Sequence, residues 1–279
     1  MVQRTRNPAA RRLAIQRQAL LDGTVTVETL ARTLDVSVAT IRRDLTSLEE
    51  EGLVRRTHGG AVFHPPRGAD QAMDLREQID PEAKARIART AMQLIEPDQT
   101  VVMNDGSTVL ALARELVAAR MALTVVTAGV NVAVTLSESQ TITAYLLGGT
   151  VRHRTLGTSG PFAEAMLQSF NPDTALIAAE GFSVDEGLTY SYETDSALAR
   201  LMHTRATTTV VLATGRKLLQ RDRITAIAAR HVDVLITDCS DRAVLDPFEQ
   251  IGVRVIVADP ATAATAPDLV APTDAGPIE

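Results

Sequence analysis

Cysteine is all but absent. Among 279 residues only Cys239 carries a thiol, so no intramolecular disulfide can form, and a structural zinc site built on several thiols is excluded. No apolar run approaches the ~20 residues that a membrane helix needs. The opening MVQRTRNPAARR lacks the apolar stretch of a secretory leader, so the expectation is a cytoplasmic protein with no membrane partner. Lysine is scarce too: Lys84 and Lys217 are the only two. There is no internal repeat, and the five histidines are scattered. No metal and no cofactor is therefore expected. What is present is 45% apolar and 22% charged residues, enough to bury a core and rule out wholesale disorder. The length suits two domains better than one.

Charge is uneven along the chain. Residues 1–60 hold ten Arg against seven acids, a balance of +3, while the remainder carries −9. A basic head on an acidic body suggests that only the head meets a polyanion.

The head reads as three short helices and a hairpin. Leu13, Ile15, Ala19 and Leu20 form an apolar stripe that ends at Asp22-Gly23. After a short extended link at Val25, Thr26 caps a second helix with Leu30, Ala31 and Leu34 inward. Asp35-Val36 makes a tight turn. Ser37 caps a third helix with Val38, Ile41, Leu45 and Leu48 inward, stopped by Gly52. Its outer face starts with Ser37, Thr40, Arg42 and Arg43, side chains suited to base edges and phosphates, whereas Glu49, Glu50 and Glu51 come later, where phosphate would be repelled. LVRRTHGGAV then reads as a strand, turn and return strand, a wing whose Arg55, Arg56 and His58 lie along a phosphate backbone. Arg11 and Arg12 of the first helix complete the expected DNA-binding set. The segment LLDGTVTVETLARTLDVSVATIRRDLTSLEEEGLVRRTHGGA resembles the head of DeoR-type bacterial transcription regulators, above all in VSVATIRRDL and RTHGGA. The resemblance implies a winged helix-turn-helix, with the motif near Val25 to Asp44, acting on a double-stranded DNA operator.

The chain then divides as follows: 1–62 the winged helix-turn-helix, 63–74 a linker around the Pro- and Gly-containing FHPPRGAD, 75–259 a larger domain, and 260–279 a disordered tail. After a helix starting at Pro81, Val/Ile/Leu-rich strands alternate with helices from Thr100 onward, with an irregular stretch at 182–192. The fold class is α/β, with a mostly parallel sheet covered by helices on both faces.

Ligands of such sheets bind beyond the carboxyl ends of the strands. Three strand ends carry candidate chemistry. At Asp105, Gly106, Ser107 and Thr108, helix N–H groups and hydroxyls can hold a phosphate, or Ser107 simply caps the helix; neither a Walker nor a dinucleotide glycine pattern is present. Gly148 and Gly149 followed by Arg152 form either an anion-accepting turn or a plain strand-end turn. Lys217 stands at a strand end, as a phosphate partner or as an ordinary surface lysine.

Residues 75–240 resemble the sugar-phosphate-sensing domain of the same DeoR family, through DGSTVLALA, LTVVT, LLGG, ALIAAEG and the Lys217 region. That domain is similar in fold to ribose-phosphate isomerases. The resemblance implies that Asp105 to Thr108, Gly148, Gly149, Arg152 and Lys217 line an effector pocket. Two departures change its polar groups: Thr127-Ala128 stands where Thr-Asn is usual, and Thr214-Gly215-Arg216-Lys217 where Asp-Ser-Ser-Lys is usual. The expected function is a DNA-binding regulator, a repressor of a carbohydrate-metabolism operon tuned by a phosphorylated sugar, acting as a homodimer or tetramer. The alternatives are a sugar-phosphate isomerase or deaminase with a DNA-binding head, for which Asp185, Glu186 or Glu193 would supply the base, and an architectural nucleic-acid protein without a ligand.

Overall fold

The computed structural model describes residues 7–22, 24–50, 54–57, 59–63 and 73–258. Gly52, His58, most of the expected linker and the expected tail lie outside these residues, as does the side chain of Leu20.

The head runs α1 (Pro8–Asp22), β1 (Thr24–Thr26), α2 (Val27–Thr33), α3 (Val38–Glu50), β2 (Val54–Thr57), β3 (Gly60–Phe63). Its core is Ile15 and Ala19 of α1, Val25, Val27, Leu30, Ile41, Leu45, Leu48, Val54 and Ala61. Two expected core positions are corrected. Leu13 is 42% exposed and Val38 is 38% exposed. Val38 opens α3, and the core on that helix begins one turn later, at Ile41. The Val25 link is a strand: β1 pairs antiparallel with β3, giving the sheet order β1-β3-β2. Gly60 is required there, because a Cβ would lie 1.9 Å from the Val25 carbonyl oxygen.

The larger domain begins with α4 (Met73–Gln78), inside the stretch read as linker, and α5 (Pro81–Met92). Then come β4 (Thr100–Met103), α6 (Ser107–Ala119), β5 (Leu123–Thr127), α7 (Val130–Leu136), β6 (Ile142–Leu146), β7 (Thr150–Arg152), β8 (Gly157–Ser159), α8 (Pro161–Leu167), β9 (Thr174–Ala178), β10 (Gly181–Ser183), β11 (Gly187–Tyr190), α9 (Glu193–Arg205), β12 (Thr208–Leu212), β13 (Ile224–Ile227), β14 (Val234–Thr237), α10 (Arg242–Gln250) and β15 (Arg254–Val257). Seven strands make one parallel sheet, in the order β15-β14-β12-β9-β4-β5-β6.

The pleat sends alternate residues to opposite faces. Val101 and Met103, with Val210 and Leu212, pack under α5, α6 and α7. Val102, with Ala175, Ile177 and Val211, packs under α8, α9 and α10. Both faces are covered, which is why these strands read as continuous apolar runs. The stretch read as irregular is a hairpin, β10–β11, extended by β13. Its turn needs Gly187 at φ 73°, where a Cβ would also lie 2.1 Å from the Ile227 carbonyl oxygen.

Candidate nucleic-acid interface and effector site

The reader helix is set by local chemistry. The Thr29 N–H donates to Thr26 Oγ1 (3.2 Å), capping α2. Asp35 takes a left-handed backbone (φ 50°) to turn the chain. The Thr40 N–H donates to Ser37 Oγ (3.2 Å), and the two hydroxyls lie 2.8 Å apart. Arg42 and Arg43 are exposed, as are Ser37 and Arg55, with Thr40 half-buried. The wing is tied to α3: the Arg56 N–H donates to Glu49 Oε1 (3.0 Å), and Arg56 Nη1 donates to Thr46 Oγ1 (3.2 Å). Glu49 therefore has a use that its sign alone did not suggest. Arg12 is half-buried on α1.

Arg11 is the correction. It is turned inward, only 7% exposed, with Nε 2.5 Å from Asp44 Oδ2 and Nη2 donating to Asp44 Oδ1 (3.1 Å). This two-pronged pair fastens α1 to α3 and leaves Arg11 unavailable to DNA.

At the sheet's carboxyl edge, Asn104 follows β4 and bridges to β9. Its Nδ2 donates to the Ala178 carbonyl and its Oδ1 accepts from the Ala178 N–H, both at 3.0 Å. Gly106 is the N-cap of α6 and no side chain caps this helix, so the reading of Ser107 as the cap is corrected. Ser107 and Thr108 are buried in its first turn. Gly106 is needed because a Cβ would lie 2.2 Å from Ala178 Cβ. Asp105 is half-buried beside Gly157, whose Cβ, if present, would lie 2.2 Å from Asp105 Oδ2. Burial holds the Asp105 carboxyl above its ordinary value, against the opposing pull of the Arg76 charge.

Gly149 has a structural duty: at φ 125° it lets the chain pass where a Cβ would lie 2.5 Å from the Ser159 carbonyl oxygen. Gly148 is exposed. Arg152 is engaged within the chain. It grips Asp195 with both Nη groups, Nη2 to Oδ1 at 2.9 Å, and lies 4.0 Å from the Tyr192 ring centre. At the first departure Thr127 Oγ1 accepts from the Gly129 N–H (3.0 Å), and the Ala128 carbonyl accepts from the Thr158 N–H (2.7 Å). The Ala128 carbonyl is thus occupied by Thr158 of the hairpin β7–β8, and Thr127 Oγ1 by the chain just after it. Lys217 sits half-buried in a short turn after β12. Burial and then the Arg76 charge lower its pKa, with Glu180 opposing.

Sequence reading brought out neither Arg76 nor Asp195. Glu180 is buried and accepts from the Ser191 N–H (2.9 Å); burial pushes its pKa up to about 7. Lys84 is buried, its Nζ donating to the Arg76 and Ile79 carbonyls, and burial brings its pKa down to about 8. Between Asp105, Tyr190, Asp195 and Thr158 lies a cavity of only ≈ 10 Å³, about one water in size. None of the nominated catalytic bases lines that cavity. Asp185 is exposed, Glu186 pairs with Arg221 (3.3 Å), and Glu193 is an acid in the first turn of α9. Among the described residues no group of three or more His, Cys, Asp or Glu side chains is placed to hold a metal, and no helix is long and apolar enough to cross a membrane.

A capped reader helix with an arginine face and a wing, followed by a parallel-sheet domain with charge gathered at its carboxyl edge, defines a two-part DNA-binding regulator. Known proteins agree. The DeoR-like helix-turn-helix domain matches residues 14–66, and the DeoR C-terminal sensor domain matches residues 79–239. The HTH-type transcriptional regulator GolR of Listeria innocua is 33% identical over 238 residues, 84% of this chain and 92% of that protein. The HTH-type transcriptional repressor GlcR of Bacillus subtilis is 33% identical over 236 residues, 84% of this chain and 90% of that one. Among solved structures, ribose 5-phosphate isomerase A of Methanocaldococcus jannaschii is 14% identical, with TM-score 0.37, over 50% of this chain and 54% of that one. The chain belongs to the DeoR family and is a transcriptional regulator, not an enzyme.

Proposed function

We propose that this regulator is a repressor of a carbohydrate-metabolism operon, released from its operator by a phosphorylated sugar or related metabolite. The observation that carries the reading is the charge at the sheet's carboxyl edge: two half-buried cations, Arg76 and Lys217, near the carboxylates of Asp105, Glu180 and Asp195 and the start of α6. Cations suit a phosphate, and carboxylates accept from sugar hydroxyls. Relatives support the sugar class: one is the lactose phosphotransferase system repressor of Lactococcus lactis, 30% identical over 220 residues.

In this reading Ser37, Thr40, Arg42, Arg43, Arg55 and Arg56, with His58 and Arg12, meet the operator in the cytoplasm. Asp105, Gly106, Ser107, Thr108, Gly148, Arg152 and Lys217 surround the effector, and Gly149 shapes the turn beside it. The effector's phosphate competes with Asp195 for Arg152, opening the closed cavity. One head makes few contacts, so the repressor is a homodimer or tetramer on repeated half-sites. Release follows from differential affinity of the effector for the two arrangements. The test is a gel shift of the gene's own upstream region with and without a panel of sugar phosphates. A shift reversed by at least one ester is expected; no shift at low salt overturns the reading.

A further inference from the structure

The six residues of α4, MDLREQ, are restrained at both ends. The Met73 N–H donates to the Arg154 carbonyl (2.8 Å), in the loop just after Arg152. Met73 and Leu75 are buried, and α4 packs against α6. At the other end Lys84 Nζ donates to the carbonyls of Arg76 and Ile79. These restraints hold Arg76 half-buried, yet its side chain makes no hydrogen bond or ion pair with another described residue. Its charge reaches Asp105 and Glu180, favouring their carboxylates, and also Lys84 and Lys217, disfavouring their ammonium forms. Arg76 is therefore central to the cluster. A guanidinium with five donors, held among two lysines and bound to none of the nearby acids, is an arrangement that an incoming anion relieves.

We propose that Arg76 is a ligand of the effector's phosphate, acting with Lys217, and that through it α4 passes effector occupancy to the reader. This rests on the effector reading above and adds a residue and a route to it. The ligand is a phosphorylated polyhydroxy compound of sugar size. Arg76 and Lys217 take the phosphate, and Asp105 and Glu180 accept from hydroxyls. Only residues 64–72 separate β3 of the wing from α4 along the chain. A bond from ligand to Arg76 thus restrains the first described element that follows the reader. The ligand shifts the equilibrium through the contacts that differ between the bound and free states.

The experiment uses the full chain, with glucose 6-phosphate and ribose 5-phosphate as probes. Calorimetry measures ester affinity, and a gel shift measures the ratio of operator Kd with and without ester. Arg76→Gln is expected to weaken ester binding by about tenfold or more and to bring the operator ratio toward one, because a charged hydrogen-bond donor is lost from an enclosed site. If the wild type responds and Arg76→Gln binds the ester within about twofold of it, the proposal is overturned and the effector reading stands. If the wild type responds to neither probe nor to any ester of the wider panel, the effector reading itself fails. A second measurement needs no variant: in the wild-type chain, saturating ester should slow modification of Arg76 by phenylglyoxal, read by mass spectrometry. An unchanged rate overturns the proposal even if Arg76→Gln proves too unstable to titrate.

Discussion

The head and the sheet domain use charge in opposite ways. In the head the cations of α3 and β2 face water, and an inward pair, Arg11–Asp44, works as a fastener. In the sheet domain Lys84, Glu180, Lys217 and the Arg152–Asp195 pair are turned wholly or partly inward at one sheet edge. An extended polyanion has charge along its whole length, so a surface that meets it needs exposed, repeated cations, and the binding is sensitive to salt. A small ligand is enclosed, so its partners are few, desolvated and matched by counter-charges, and salt screens them less. The two regions are built for partners of different size.

The largest effect should come from the head's fastener. Asp44→Ala removes the two-pronged partner of the buried Arg11 guanidinium. It should cost about 3 kcal/mol of head stability, the low end for a broken buried pair because the head is small and water is close. A urea melt should show the loss, and operator binding should weaken with it. The double change Arg11→Met with Asp44→Leu should recover most of the stability, since a well-packed apolar pair often replaces an ion pair without loss. An Asp44→Ala melt like that of the wild type would mean that the pair fastens nothing.

Next come the outward arginines. Arg42→Ala and Arg43→Ala should each cost about 1–3 kcal/mol in operator affinity, with stability changed by less than about 0.5 kcal/mol. A variant that lost a phosphate contact would also show a shallower dependence of log Kd on log salt; one that lost a base contact would relax sequence preference instead. A melt lowered as much as operator binding would erase the contrast between this outer face and the Arg11–Asp44 pair.

What could be read from the sequence divides along the same line. The caps at Thr26 and Ser37, the Asp35 turn and the apolar period of α3 from Ile41 onward are local signals, and the structure has them where the pattern puts them. The strands of the parallel sheet were legible because burial on both faces leaves long apolar runs. Pairings across the chain were not. Arg11 looked like one more phosphate-binding arginine because Asp44 lies 33 residues away, and Arg152 looked unattached because Asp195 lies 43 residues away. Helix α4 is too short to show a period, so Arg76 carried no signal. The hairpin β10–β11 left one clue, Asp185-Glu186-Gly187, where a glycine makes the turn.

Gly157 tests how closely the sheet domain's site is packed. Gly157→Ala would place a methyl 2.2 Å from Asp105 Oδ2, so the Asp105 side chain or the β7–β8 hairpin must shift. Overpacking of this kind should cost about 1–2 kcal/mol in a thermal melt and reduce the response to sugar phosphate. An unchanged melt and response would mean that the hairpin is compliant, and that the fit of Asp105 against it does not matter.

The smallest effect is the most diagnostic of inward charge. Folding raises the Glu180 pKa from 4.5 to about 7, mainly through burial. The groups that act on it are Arg76 of α4, which lowers it, and Asp195 of α9 and Asp222, which raise it, while the Ser191 N–H donates to it. The folded state holds this proton more tightly than the unfolded chain does. The contribution to stability is therefore fully present below about pH 4.5 and is lost as pH rises through about 7. The same proton should tune ligand affinity. Above pH 7 Glu180 is a carboxylate and offsets the cations that receive a phosphate; below it the group is neutral and the cations face one opposing charge fewer. Ester affinity corrected for the ester's own titration should fall by several-fold between pH 6 and 8, about 1 kcal/mol for one partly screened charge. Glu180→Gln should flatten that slope, whereas operator affinity of the ester-free chain over the same range should follow the exposed head and keep its own profile. A Glu180→Gln variant with the wild-type slope would place the titrating group elsewhere and would remove Glu180 from the ligand's surroundings.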